Sequence, residues 1–211
     1  MRPFQLATAQ RKIVAGFRSL HIHYAVWRWR SRGNIAIDGS VVVAGLPLIR
    51  LHEKAHLRIG HNVTLTSVNS DYHLNMFART KILADRPHAE IRIGENSRVH
   101  GTCLHATKSI AIGANCLIAA NTQIMDSNGH EPCFGDVSRR IRSVDSGRPV
   151  VIEDNVWIGT GSVILPGTFI GFGSIIAAMS VVRGIIPPFS LVAGNPAQIV
   201  KTFSPTERFA G

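Results

Sequence analysis

The sequence is poor in several things at once. Aromatic residues make up 7% of the 211 positions, only two of them tyrosine. Charged residues supply 17%, below the roughly 25% of an ordinary soluble chain. No stretch of 18 apolar residues occurs, which excludes a membrane-spanning helix. The basic start lacks an apolar run ending in a small-residue cleavage site, so no signal peptide is expected. Cys103, Cys116 and Cys133 form an odd set without a CxxC pair, which argues against a disulfide framework or a zinc knuckle and favours a reducing, cytoplasmic setting. Acidic residues are absent from residues 1–33, where seven Lys and Arg stand, leaving +3 of the net +10 to everything else.

What is plentiful is glycine, 19 residues, together with Ile and Val. Their arrangement is periodic. A branched aliphatic recurs every six positions at Ile152, Ile158, Ile164, Ile170, Ile176 and Val182. Four residues after each stand Val156, Ser162, Thr168, Ser174, Ser180 and Ile186, mostly small. Shorter blocks in the same rhythm occupy Ile93–Val99 and Ile112–Ile118–Ile124, and weaker copies lie around Ile59-Gly60 and from Ile35 to Val41. A period of six fits neither a helix nor a simple alternating strand. It fits a short strand plus a two-residue corner, three of which close a triangular coil of 18 residues. Coils then stack strand over strand, each supported by its neighbours. Gly60, Gly94, Gly113, Gly159 and Gly171 follow the aliphatic position, where either crowding or positive φ would call for glycine.

The run IEDNVWIGTGSVILPGTFIGFGSIIAAMSVVRGIIPPFSLVAGNPAQIVK resembles the C-terminal half of the hexapeptide-repeat acyltransferases, and the likeness extends over about residues 57–201. The segment IRIGENSRVHGTCLHATKSIAIGANCLIAANTQIMDSNGHEP is similar to the sugar and polysaccharide O-acetyltransferases of that superfamily. The resemblance implies an all-β, left-handed parallel β-helix, placed over residues 34–200 between a basic segment 1–33, helical by its own spacing, and a C-terminal tail 201–211. The left hand departs from the usual right-handed crossover and comes from the resemblance alone.

Breaks in the period mark where function stands apart from the wall. Val99 to Ile112 is a step of 13, one residue out of phase near His105–Lys108. Ile124 to Ile152 is a step of 28, reading as a long polar excursion over residues 126–149. A third break spans about Asn69 to Glu90. In the resembling enzymes a histidine at the start of the long excursion is the general base that deprotonates an acceptor hydroxyl attacking acetyl-CoA; here it is His130. The usual Asp-x-Asp-x-His stands as Asp126-Ser127-Asn128-Gly129-His130, with Asn128 able to bond a sugar hydroxyl. Asp126 is the favoured partner for the imidazole and Glu131 the alternative; His105 and Arg148 are candidate acceptor-binding residues.

Gly159-Thr160 and Ala177-Ala178 lie 18 residues apart, one full coil, and therefore stack on one edge. The resemblance makes them pantetheine contacts, and makes Arg183 and Lys201 partners of the CoA phosphates. It also implies a homotrimer with the histidine from one subunit and much of the groove from the next; Trp157 then packs either at that contact or against ligand. Residues 4–30 read as an amphipathic helix that caps the first coil and whose basic, Trp-containing end suits the inner face of an anionic membrane; nucleic acid is not expected, as no recognition motif is present. Arg139, Arg140, Arg142 and Arg148 form a basic cluster in the excursion, suited to an acidic glycan, a nucleotide-sugar diphosphate or CoA, or simply to solvent.

Two other functions compete with transfer to a sugar or polysaccharide. His100 and His105 have the spacing of two zinc ligands in the γ-class carbonic anhydrases, but no third histidine stands in register, so no metal is expected. A non-catalytic assembly module is the second alternative.

Overall fold

The computed structural model describes residues 20–70 and 72–204. The chain winds as a left-handed parallel β-helix of triangular section, preceded by a helix over residues 20–30. Three parallel faces result. The first has seven strands, from Ile35–Ile37 to Ile185–Ile186. The second has eight, running from Val42–Ala44 through Arg98–His100, Leu117–Ile118, Trp157–Ile158 and Ile175–Ile176 to Ser190–Gly194 and the antiparallel Ala197–Thr202. The third has six, among them Lys81–Ala84, Cys103–Ala106, Gln123–Met125, Val163–Ile164 and Val181–Val182.

The six-residue rhythm is the sequence of these faces. Ile59, Ile93, Ile112, Ile152, Ile170 and Ile186 sit directly above one another on the first face. Leu65, Val99, Ile118, Ile158, Ile176 and Val192 form the column of the second, and Ile82, Leu104, Ile124, Ile164 and Val182 that of the third. All of these side chains are buried. Burying each contributes roughly 1.5–3 kcal/mol, which is what draws successive coils together.

The small residues do more than leave room. Ser162, Thr168, Ser174 and Ser180 are buried, and each hydroxyl donates to a corner carbonyl, as Ser180 does to Ala177 at 2.7 Å and Ser174 to Pro187 at 2.9 Å. The hydroxyls are thereby satisfied inside the coil, and the corner carbonyls gain a donor beyond the strand ladder. The corner glycines answer to crowding. Gly159 has an ordinary φ, but a Cβ there would stand 2.5 Å from the backbone nitrogen of Ala178 in the next coil. Positive φ falls two residues on, at Asn62, Asn96 and Asn115 after Gly60, Gly94 and Gly113, and at Gly161 and Gly173 after Gly159 and Gly171.

The helix over residues 20–30 covers the first coil. Trp29 packs against the core, and the Arg30 guanidinium donates to the carbonyls of Ile37 at 3.2 Å and Asp38 at 2.7 Å. The rest of the expected 4–30 helix lies outside the described residues. At the other end, the strand Ala197–Thr202 folds back on Ser190–Gly194, so the β structure runs past the expected limit at residue 200.

Two breaks differ from expectation. The Asn69–Glu90 break is a loop between Thr64–Thr66 and Lys81–Ala84, followed by an ordinary coil strand and a corner. The long excursion contains a 3-10 helix, Val137–Arg142, whose Asp136 cap accepts from the Ser138 backbone.

Candidate active site

The excursion leaves the coil where the third face turns into the first, and returns there. Arg148 donates its backbone N–H to the Asp126 carbonyl at 2.6 Å, closing the neck of the loop. Asp145 ties the two limbs together. Its carboxylate accepts from the backbone N–H of Asn128 at 2.7 Å and of Gly147 at 3.1 Å, and its own N–H donates to the Gly129 carbonyl at 3.3 Å. The Asn128 bond, more than any other influence, holds the Asp145 carboxyl below its ordinary range.

His130 is exposed on this frame, and its Nδ1 lies 3.0 Å from the Ser143 carbonyl oxygen. A carbonyl only accepts, so Nδ1 carries the proton and Nε2 keeps its lone pair. Ser143 is itself fixed: its hydroxyl donates to Arg140 at 2.9 Å and accepts from the Glu131 N–H at 2.9 Å. The imidazole is thus oriented by main chain rather than by a carboxylate.

This corrects the expected role of Asp126. Its carboxylate is fully buried and faces the preceding coil, accepting from Thr107 N at 2.7 Å, Thr107 Oγ1 at 2.9 Å and Lys108 N at 2.6 Å. Those donors belong to the one-residue slip between Val99 and Ile112. An extra residue at a corner frees backbone N–H groups from the ladder, and Asp126 satisfies them. Glu131 meets Ser143 through its backbone rather than reaching the imidazole with its carboxylate.

Other candidates gather near the root of the excursion. His105 lies on the third face, paired in register with Met125, its Nε2 3.4 Å from Asp85 Oδ1. The Arg148 side chain lies across Gly167 one coil on. Arg183 is exposed at the same edge, after Val181–Val182. Asn128 is exposed beside His130. The basic cluster is divided: Arg139, Arg140 and Arg142 ride the 3-10 helix, with Arg140 over the Phe134 ring at 5.5 Å, whereas Arg148 belongs to the neck.

Gly159, Thr160, Ala177 and Ala178 stand on a different edge, where the second face turns into the third. They line a groove of about 670 Å³. Its floor is the outward column Leu117, Trp157, Ile175 and Leu191, and Trp157 is half exposed. Thr160 Oγ1 donates to the Ala120 carbonyl at 2.7 Å. Lys201 pairs with Leu191 at the C-terminal end of this face, its Nζ 4.4 Å from the centre of the Phe203 ring. Within one chain, therefore, His130 and Arg183 share one edge and the small-residue groove lies on another, while Lys201 sits on the second face opposite Leu191, away from both edges. A wider depression of about 910 Å³ on the first face has mixed charge, with Arg58, Arg92, Glu153 and Asp154, and contains none of the predicted site residues.

The N-terminal end of the groove holds His100, a candidate in the sequence as a zinc ligand or an acceptor-site residue, beside residues that no motif marks. Tyr72, His73 and Leu74 of the loop over residues 67–80 close it against Arg98 and His100. Tyr72 stacks on His100 with centroids 4.5 Å apart, and Asn121 anchors the loop through Phe77 N at 2.9 Å and the Asn75 carbonyl at 2.9 Å. Burial, reinforced by Arg98 and His73, lowers the His100 pKa to about 4. The signal available in the sequence was the broken period itself. His100 and His105 end up on different faces with different partners, one under Tyr72 and the other against Asp85.

Comparison with known proteins agrees with this architecture. Residues 149–184 match the family model "Bacterial transferase hexapeptide (six repeats)", and residues 90–125 match "Hexapeptide repeat of succinyl-transferase". The chain is 36% identical over 115 residues to WbbJ of Escherichia coli, provisionally named a lipopolysaccharide biosynthesis O-acetyl transferase, covering 52% of this chain and 57% of that one. A Vibrio cholerae hexapeptide-repeat acetyltransferase solved with acetyl-coenzyme A superposes with a TM-score of 0.50 at 36% identity, over 54% of this chain and 61% of that one. A maltose O-acetyltransferase from Clostridium difficile superposes with a TM-score of 0.54 at 25% identity, over 82% and 72%. The chain spans about half the length of the curated relatives it matches. The two hexapeptide-repeat models and these relatives, each matching part of the chain, support a kinship of the β-helix with the hexapeptide-repeat acyltransferases, with sugar O-acetyltransferases among the proteins it is similar to.

Proposed function

We propose that the protein is an acetyl-CoA-dependent O-acetyltransferase acting on a hydroxyl of a sugar or polysaccharide, with His130 as general base. The observation that carries this reading is the tautomer imposed by Ser143 on an exposed histidine: the carbonyl holds the proton on Nδ1, so Nε2 keeps its lone pair as an acceptor. The acyl donor supplies an activated thioester carbonyl. His130 Nε2 takes the proton of the acceptor hydroxyl while the hydroxyl oxygen bonds to that carbonyl carbon. The carbon–sulfur bond then breaks, and the imidazolium returns the proton to the leaving thiolate. No covalent enzyme intermediate is needed. The edge of the groove formed by Gly159, Thr160, Ala177 and Ala178 suits a narrow pantetheine arm, because none of these four side chains projects beyond a methyl or a tied hydroxyl.

His130 and this groove stand on different edges of one chain, so the reading requires a second copy that brings its excursion to the groove. A homotrimer meets that need. Arg183 and Lys201 then approach the CoA phosphates from the two copies. Relatives that act on glycans suggest acceptors in surface polysaccharide or lipopolysaccharide synthesis, inside the cell. No described helix is long and apolar enough to cross a membrane, and the N-terminal basic segment is proposed to touch an anionic one.

The test is thiol release from acetyl-CoA against a panel of sugars and acidic oligosaccharides. Acceptor-dependent release should fall about 100-fold or more in His130→Ala, in line with the usual contribution of a general base. Release that survives this substitution removes His130 from its role.

A further inference from the structure

The groove has two ends of different chemistry. Its C-terminal half is apolar, with Trp157 and Leu191 on the floor and the small Gly159 and Ala177 at the edge. Its N-terminal end carries Arg98, His100, His73 and Tyr72, and no carboxylate among the described residues lines it. Arg98 is exposed and pairs with no acid among the described residues. From the strand Arg98–His100 to Ile175–Ile176 there are three strand spacings of about 4.8 Å, roughly 14 Å along the axis. The excursion of His130 is rooted at the coil between them, directly after Gln123–Met125 and level with Leu117–Ile118. A donor lying along the small-residue half would bring its thioester to that level. The Arg98 end, one coil beyond, is left for the acceptor.

His100 adds a fixed donor there. Its Nδ1 is buried without a hydrogen-bond partner. Placing a proton on that atom would bury an unpaired N–H, so the proton stands on Nε2. Burial first, and then the neighbouring charges of Arg98 and His73, keep the ring neutral.

We propose that the Arg98–His100 end of the groove binds the acceptor through an anionic group, a carboxylate or a phosphate, on the sugar. Arg98 supplies the charge and a forked donor surface. His100 supplies a neutral N–H, and the Tyr72 loop encloses the ring of the sugar. This assignment rests on the proposed acetyl transfer in the same groove.

The experiment is calorimetric titration of the whole protein, in the presence of CoA, with glucuronate, glucose 6-phosphate and glucose. The two charged sugars separate a carboxylate from a phosphate. At least one should bind tenfold or more tightly than glucose, and Arg98→Gln should bring it to within twofold of glucose. Arg98 is exposed, so the substitution leaves folding intact, as a thermal melt will verify. Equal affinity for charged and neutral sugars, no binding of any of them, or a preference that survives Arg98→Gln overturns the assignment. CoA affinity measured on the same samples separates the two failures. CoA binding retained without an anion preference sinks the acceptor assignment alone, whereas no CoA binding sinks the transferase reading beneath it.

Discussion

Replacing Asp126 should damage the protein in a way that a catalytic partner of His130 would not. The carboxylate takes three hydrogen bonds, two of them from the backbone N–H groups of Thr107 and Lys108 at 2.7 and 2.6 Å, in a fully buried site. In Asp126→Ala the Thr107 hydroxyl can rotate to another partner, but the two N–H groups cannot. Each buried donor left unpaired costs about 1–3 kcal/mol, and water entering at the corner favours the lower part of that range. A loss of about 3 kcal/mol corresponds to a fall in Tm of roughly 6–12 °C for a chain of this size. Amide exchange should quicken at Thr107 and Lys108, and the neck between Asp126 and Arg148 should loosen. Activity will drop through kcat as His130 loses its position. The pH profile of the remaining activity should keep its shape, because the Ser143 carbonyl still holds Nδ1. Scanning calorimetry, hydrogen exchange and a pH–rate series on Asp126→Ala and Asp126→Asn decide the matter. An unchanged Tm with a displaced pH profile would falsify the argument and restore Asp126 as the imidazole's partner.

Gly159→Ala should lower both stability and CoA affinity, since the added Cβ meets the Ala178 backbone nitrogen at 2.5 Å; CoA affinity unaltered in a folded variant would separate this edge from the donor. Ile158→Ala removes a fully buried side chain from the middle of the second-face column and should cost about 2–5 kcal/mol in a denaturant or thermal titration. Acid should weaken the fold through His100. Its folded pKa of about 4 lies below the 6.5 of a free imidazole, so the unfolded chain binds the extra proton. That contribution is therefore complete above pH 6.5, declines as the pH falls towards 4, and is constant below; screening of a half-buried ring reduces it to about 1–2 kcal/mol. His100→Asn should flatten Tm against pH across this window, and an identical slope in both proteins would show that another group is responsible.

The wall of this protein was written in its sequence because each coil repeats one local rule. An aliphatic side chain must enter the core every six residues, and a small one must fill the corner, so Ile152 to Val182 announces three faces without any knowledge of long-range contacts. The breaks were legible for the same reason, as failures of that rule around His130 and Tyr72. The partners at those breaks were not. Asp126 lies four residues from His130 and looks like its natural companion, yet stacking places its carboxylate against Thr107 and Lys108 from the previous coil. Ser143, which does hold the imidazole, acts through its backbone carbonyl, an atom that every residue possesses and no motif can mark. Arg183 and Lys201 share a charge but not an edge, because the turn on which each residue falls is set by counting round the triangle. Periodicity along the chain determined the coil; only the closure of one coil upon another decided which donors were left over, which acceptors reached them, and which edge each candidate came to occupy.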